Sequence, residues 1–134
     1  MIEVIIYRTK NHEIIGFDVE GHAGYGEYGE DIVCAAVSIL VINTINSIER
    51  FTTDKTNLLQ CSERGLIKFS FEGKASSDAR LLIRSMIYGL QTIEEEYKTD
   101  STSNLLNKAD PDSDDVVVPA DEINPTIDIT FKEV

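Results

Sequence analysis

Apolar residues recur along this chain at two spacings, and the order in which the spacings alternate leaves few folds open. Residues 2–8 place Ile2, Val4 and Ile6 on one face, the period-2 pattern of a strand. Residues 14–19 read the same way after the polar break Lys10-Asn11-His12, so the opening predicts an antiparallel hairpin. From near Asp31 the period lengthens: Val37, Val41, Ile45 and Ile48 recur at helical spacing until Thr52 and Thr53 interrupt them. Residues 58–61 and 66–71 flank Glu63-Arg64-Gly65, a second hairpin signal. Ser76-Ser77-Asp78 then caps a helix running to about Tyr97, with an apolar stripe of Leu81, Leu82, Met86, Leu90 and Ile93. Residues 126–131 resume alternation through Ile127, Ile129 and Phe131. The order β-β-α-β-β-α-β predicts an α+β fold. It is a small sandwich in which a mostly antiparallel sheet carries two long helices on one face.

A chain of 134 residues that is 42% hydrophobic can bury one ordinary core, which predicts a single domain over residues 1–134. Residues 98–125 change character. They are rich in Ser, Asn and Asp, contain Pro111, Pro119 and Pro125, and have no periodicity apart from Val116-Val117-Val118. That composition reads as a surface insertion before the last strand. No apolar run approaches the roughly 18 residues needed to cross a bilayer. The alternating, early-charged N-terminus does not read as a secretory signal, which predicts a cytoplasmic protein without a membrane partner. In that compartment Cys34 and Cys61 are expected as free thiols. The 24 acidic against 12 basic residues give a net charge of −12, which excludes a binder that tracks nucleic-acid phosphates on a basic face. An acidic surface suits a basic partner, and it equally suits solubility alone.

Four of the chain's 8 glycines, Gly21, Gly24, Gly26 and Gly29, fall in the loop expected over residues 21–30. Gly24-Tyr25-Gly26-Glu27-Tyr28-Gly29 matches G-x-G-x-x-G formally. Glu27, Glu30 and Asp31 would repel phosphates there, and the preceding strands read as a hairpin rather than part of a parallel βαβ unit, so no dinucleotide cofactor is expected. His12, His22, Cys34 and Cys61 lack paired metal-ligand spacing, so no metal is expected. With Asp31 as N-cap, Cys34 is the third residue of the long helix, where free amides and the dipole favour a thiolate. Taken alone, a thiol within Ile32-Val33-Cys34-Ala35-Ala36 reads first as a small buried hydrophobe. His22, at the exit of the second strand, is placed to act as base if the loop folds back, and otherwise reads as a solvated loop histidine. Asp31 would orient His22 or only cap the helix. Ser38, four residues after Cys34, shares its helical face and either donates to the sulfur or bonds back to the helix. Cys61 alternates with Leu59 and reads as core.

The run Gly21-His22-Ala23, followed by Glu27-Tyr28-Gly29-Glu30-Asp31-Ile32-Val33-Cys34-Ala35-Ala36-Val37-Ser38, resembles the signature of the ribosomal-processing cysteine proteases, often called Prp. A second match is Leu90-Gln91-Thr92-Ile93-Glu94-Glu95-Glu96-Tyr97, so the resemblance covers about residues 1–97. It implies a cysteine endopeptidase with His22 and Cys34 as the catalytic pair and Gly21, Asp31 and Ser38 in support. It further implies that Gly24, Tyr25, Gly26, Tyr28 and Gly29 form a loop that moves over substrate. The implied reaction removes the N-terminal extension of a large-subunit ribosomal protein, the twenty-seventh in the standard series, by cutting after an aromatic residue. The implied assembly is a homodimer in ribosome biogenesis. Such proteases pass almost directly from Glu-Glu-Glu-Tyr into the final strand, so residues 98–125 depart from the pattern. The alternative is a non-catalytic ribosome-assembly factor that binds a basic ribosomal protein through its acidic surface.

Overall fold

The computed structural model describes residues 2–21, 28–61, 63, 65–96 and 127–134. Its elements are β1 (Ile2–Arg8), β2 (Ile14–Glu20), α1 (Tyr28–Phe51), β3 (Thr56–Cys61), β4 (Leu66–Phe71), α2 (Ser77–Glu96) and β5 (Ile127–Glu133). The element order is the one that the spacing pattern predicts, and the α+β class follows from it. The five strands form one sheet in the order β3-β4-β2-β1-β5. Three of the four pairings are antiparallel, and β5 joins β1 in parallel.

This order explains why both helices lie on the same face. Chain α1 connects β2 to β3, which run parallel with β4 between them, and α2 connects β4 to β5 across β2 and β1. The two crossovers travel in opposite directions along the sheet from oppositely directed strands. Right-handed connections therefore put both helices on one side. The core lies there. Ile2, Val4, Ile6, Phe17, Val19, Phe69 and Ile127 from the sheet meet Val33, Val37, Val41, Ile45 and Ile48 of α1 and Ala79, Ile83, Met86, Ile87 and Leu90 of α2. Phe17 and Phe69 stack at 5.1 Å between ring centroids, across the β2–β4 ladder that pairs them.

Local chemistry ends the elements. The His12 backbone takes φ 63° in the β1–β2 turn, where Thr9 Oγ1 accepts from the Asn11 and Glu13 amides. The Thr52 hydroxyl donates to the Ile48 carbonyl at 2.7 Å just beyond the end of α1. Ser76 is the N-cap of α2, its Oγ accepting from the Ala79 amide at 3.2 Å. Asp54 holds that cap from a distance in sequence, its Oδ2 accepting from the Ser76 amide at 2.7 Å. Burial alone would raise the Asp54 carboxyl, but hydrogen bonds from Ser76 and Thr52 outweigh it and hold the carboxyl below its ordinary value.

Four expectations need correction. Chain α1 begins at Tyr28, so Tyr28 and Gly29 belong to its first turn rather than to a loop, and Asp31 sits inside the helix instead of capping it. An N-cap and a first-turn acid obey similar sequence rules, so the residue type of Asp31 did not fix where the helix begins. The α2 stripe runs through Ala79, Ile83, Met86, Ile87 and Leu90, and Leu81 is 60% exposed, because it lies about 200° around the helix from Ala79. Contrary to the expectation that no apolar run is long enough, Ile32–Phe51, with mean hydropathy 1.8, is long and apolar enough to cross a bilayer by length and composition. In this fold its buried stripe, from Val33 to Ile48, packs on the sheet. Cys61, expected in the core, is half-buried and absent from the core cluster. The proposed insertion at residues 98–125 lies outside the described residues.

Candidate active site

The cavity that matters is about 360 Å³ and opens between the first half of α1 and one end of the sheet. One wall is a helical face: Cys34, Val37, Ser38, Val41 and Ile42 follow one another at i, i+3, i+4, i+7 and i+8. The periodicity that buries Val37 and Val41 against the sheet therefore also turns Cys34 and Ser38 toward the cavity. The second wall is the sheet itself, through Ile2, Val19 and Gly21. The third is the β3–β4 hairpin end, through Gln60, Cys61, Gly65, Leu66 and Ile67.

The antiparallel β2–β4 ladder assembles these walls. Val19 pairs with Ile67, so the chain leaves β2 beside the β3–β4 turn. Gly21 sits at that exit with φ 129°, a conformation that side chains with a Cβ rarely adopt. A glycine is therefore required at the position that leads straight into His22. His22 itself, with Gly24, Tyr25 and Gly26, lies outside the described residues, as do the side chains of Tyr28 and Asp31. Of the residues singled out from sequence, Gly21, Cys34 and Ser38 line one cavity.

Cys34 is half-buried and free. It is the seventh residue of α1, beyond the first turn, so its own amide lies within the helical ladder. The expected help from free first-turn amides and the dipole does not reach it at full strength, because that effect fades within the first turn. Among the described residues every lining side chain is uncharged, and most are aliphatic. Among the described residues, no group of three or more His, Cys, Asp or Glu is arranged to hold a metal ion.

Sequence reasoning missed Gln60 and Cys61 as parts of this cavity. Their proximity depends on β4 lying next to β2, and a strand order is not written in a period-2 pattern.

Comparison with known proteins gives a consistent result. The family model described as cysteine protease Prp matches residues 1–102. The ribosomal processing cysteine protease Prp of Bacillus subtilis (strain 168) is 33% identical over 112 residues, 79% of this chain and 100% of the relative. Its counterpart in Staphylococcus aureus (strain Mu50) is 33% identical over 97 residues, 72% of this chain and 92% of the relative. Among solved structures, an essential ribosomal processing protease Prp from S. aureus with a covalently linked product peptide aligns with TM-score 0.71 at 26% identity. That alignment covers 98% of this chain and 100% of the other. The S. aureus protease with a substrate peptide aligns with TM-score 0.70 at 25% identity, covering all of both chains.

Proposed function

Because this chain belongs to the cysteine protease Prp family, we propose that Cys34 is its nucleophile, that His22 is the base, and that its substrate is the N-terminal extension of a large-subunit ribosomal protein, the twenty-seventh in the standard series. The observation that carries the reading is Cys34 on the wall of a cavity that Gly21 also lines, and Gly21 continues directly into His22 in the sequence. Cys34 packs against the core and still lines the cavity.

In the reaction, His22 removes the Cys34 proton and the sulfur attacks the scissile carbonyl, forming a tetrahedral intermediate. The carbon–nitrogen bond then breaks as His22 returns the proton to the leaving amine. Water, deprotonated by His22, releases the acyl group from sulfur and restores the thiol. Ser38, on the same cavity one helical turn along, is placed to steady the sulfur or the intermediate. The aliphatic walls from Val37, Val41, Ile42 and Leu66 suit an aromatic side chain at the cut. The S. aureus relative has been captured with substrate and with a covalently linked product peptide, which supports a peptide in the corresponding cleft.

The net charge of −12 suits a basic ribosomal protein as substrate. The reading places the protein in the cytoplasm as a homodimer. Membership in a protease family sets aside the non-catalytic alternative. The test is to incubate the reduced protein with the host's own precursor and to weigh the products. Cys34→Ala should bind the extension and leave it whole. Near-normal turnover by that variant would refute the mechanism.

A further inference from the structure

The cavity holds two thiols, and the mechanism above uses one. Cys34 stands on α1, and Cys61 is the last residue of β3. Both are free and half-buried, and both line the same 360 Å³ space. Cys61 is not part of the core cluster.

We propose that Cys61 is a resolving thiol that makes oxidation of Cys34 reversible. This rests on the reading of Cys34 as the reactive thiol. A sulfur activated to attack a carbonyl also attacks a hydroperoxide. Its lone pair takes the distal oxygen, the O–O bond breaks, and the peroxide leaves as alcohol or water while Cys34 becomes a sulfenic acid. A sulfenic acid with no thiol nearby proceeds to sulfinic acid, which is irreversible in general. Here the Cys61 sulfur attacks the Cys34 sulfur, the S–O bond breaks, and water departs with the Cys61 proton and the hydroxide. The product is a Cys34–Cys61 disulfide. One peroxide is reduced by two electrons from two thiols, and a reducing thiol reverses the step.

The shared cavity sets both thiols around one space, and the link asks β3 to close the remaining distance. A disulfide requires the two Cα atoms within about 4.4–6.8 Å of each other. Cys61 ends an edge strand that pairs only with β4, and it adjoins the β3–β4 turn. Its backbone is therefore held by one ladder at its final rung, the easiest place in a sheet to shift. The disulfide occupies the cleft and removes the nucleophile, so oxidation stops proteolysis without destroying the enzyme.

Full-length protein, reduced and then treated with hydrogen peroxide, tests this by intact mass and by activity. The wild type should lose about 2 Da, the mass of two hydrogens, and yield a linked peptide pair containing Cys34 and Cys61. Dithiothreitol should then restore most of its initial activity. Cys61→Ser, compared with its own reduced activity, should gain oxygen mass at Cys34 and recover about tenfold less. Cys34→Ala should form no link. Sulfinic acid at Cys34 of the wild type without a cross-link, or a link only between two copies of the chain, overturns the proposal while leaving the protease reading intact. Retained cleavage by Cys34→Ala overturns the protease reading instead, and the mass of the peroxide-treated wild type still reports on the link.

Discussion

Gly16→Ala provides a demanding test of the packing between β2 and β4. Gly16 pairs with Tyr7 of β1 on one side and with Ser70 of β4 on the other, so its backbone is held by two ladders. A Cβ there would meet the Phe69 carbonyl oxygen closer than real Cβ atoms come, with Ser70 Cα at 3.0 Å and Ser70 Cβ at 3.2 Å. The first obstacles are backbone atoms of a paired strand, so no rotamer change relieves them. Overpacking typically costs about 1–3 kcal/mol, and this geometry belongs at the upper end. The restricted unfolded chain returns about 0.4–1 kcal/mol. The net expectation is a loss of about 2 kcal/mol, which for a chain of this length lowers Tm by about 5–10 °C. Gly73→Ala is the matched control, since nothing lies within 4 Å of its Cβ. It should leave Tm unchanged or raise it slightly. Thermal unfolding followed by circular dichroism measures both. A Gly16→Ala protein as stable as wild type would show that β2 and β4 do not approach as described. Because β2 delivers Gly21 to the cavity, the variant should also cleave more slowly at temperatures where it remains folded.

Three further outcomes are expected. Asp54→Asn removes a charged acceptor from the α2 cap and should cost about 1–2 kcal/mol at neutral pH. The Asp54 carboxyl is held below its ordinary value in the folded state, so its contribution is complete above the unfolded pKa of about 3.9 and is lost as pH falls through the folded one. The Tm gap between wild type and variant should narrow in acid and not in base. His22→Ala should lower kcat/KM by about 10²-fold or more and slow alkylation of Cys34 at neutral pH, and rapid labelling with full turnover would remove its role as base. Replacing residues 98–125 by a short linker should preserve folding and cleavage, since each doubling of loop length costs only about 0.6 kcal/mol in closure entropy, whereas removal of β5 should yield insoluble protein. A linker variant that is stable but inactive would show that the insertion helps build the substrate site.

The sequence by itself determined the number, type and order of the elements. A repeat of two or of 3.6 residues is a property of one segment, and burial of one face enforces it whatever lies opposite. Ile2, Val4 and Ile6 declare β1, and Val37, Val41, Ile45 and Ile48 declare α1, without reference to any partner. The motif around His22 and Cys34 was likewise legible, because it is contiguous. The tertiary structure alone decided the rest. That β5 pairs in parallel with β1, and that β4 lies beside β2, depends on which edges meet after two crossovers. That pairing carries Cys61 out of the expected core and onto the same cavity as Cys34, 27 positions away in the chain. The helix start moved for a related reason. Asp31 satisfies the rule for a cap and also the rule for a first-turn acid, and only the folded backbone distinguishes them. Leu81 is apolar and lies on a helix, yet it stays in solvent because the sheet covers only one side of α2.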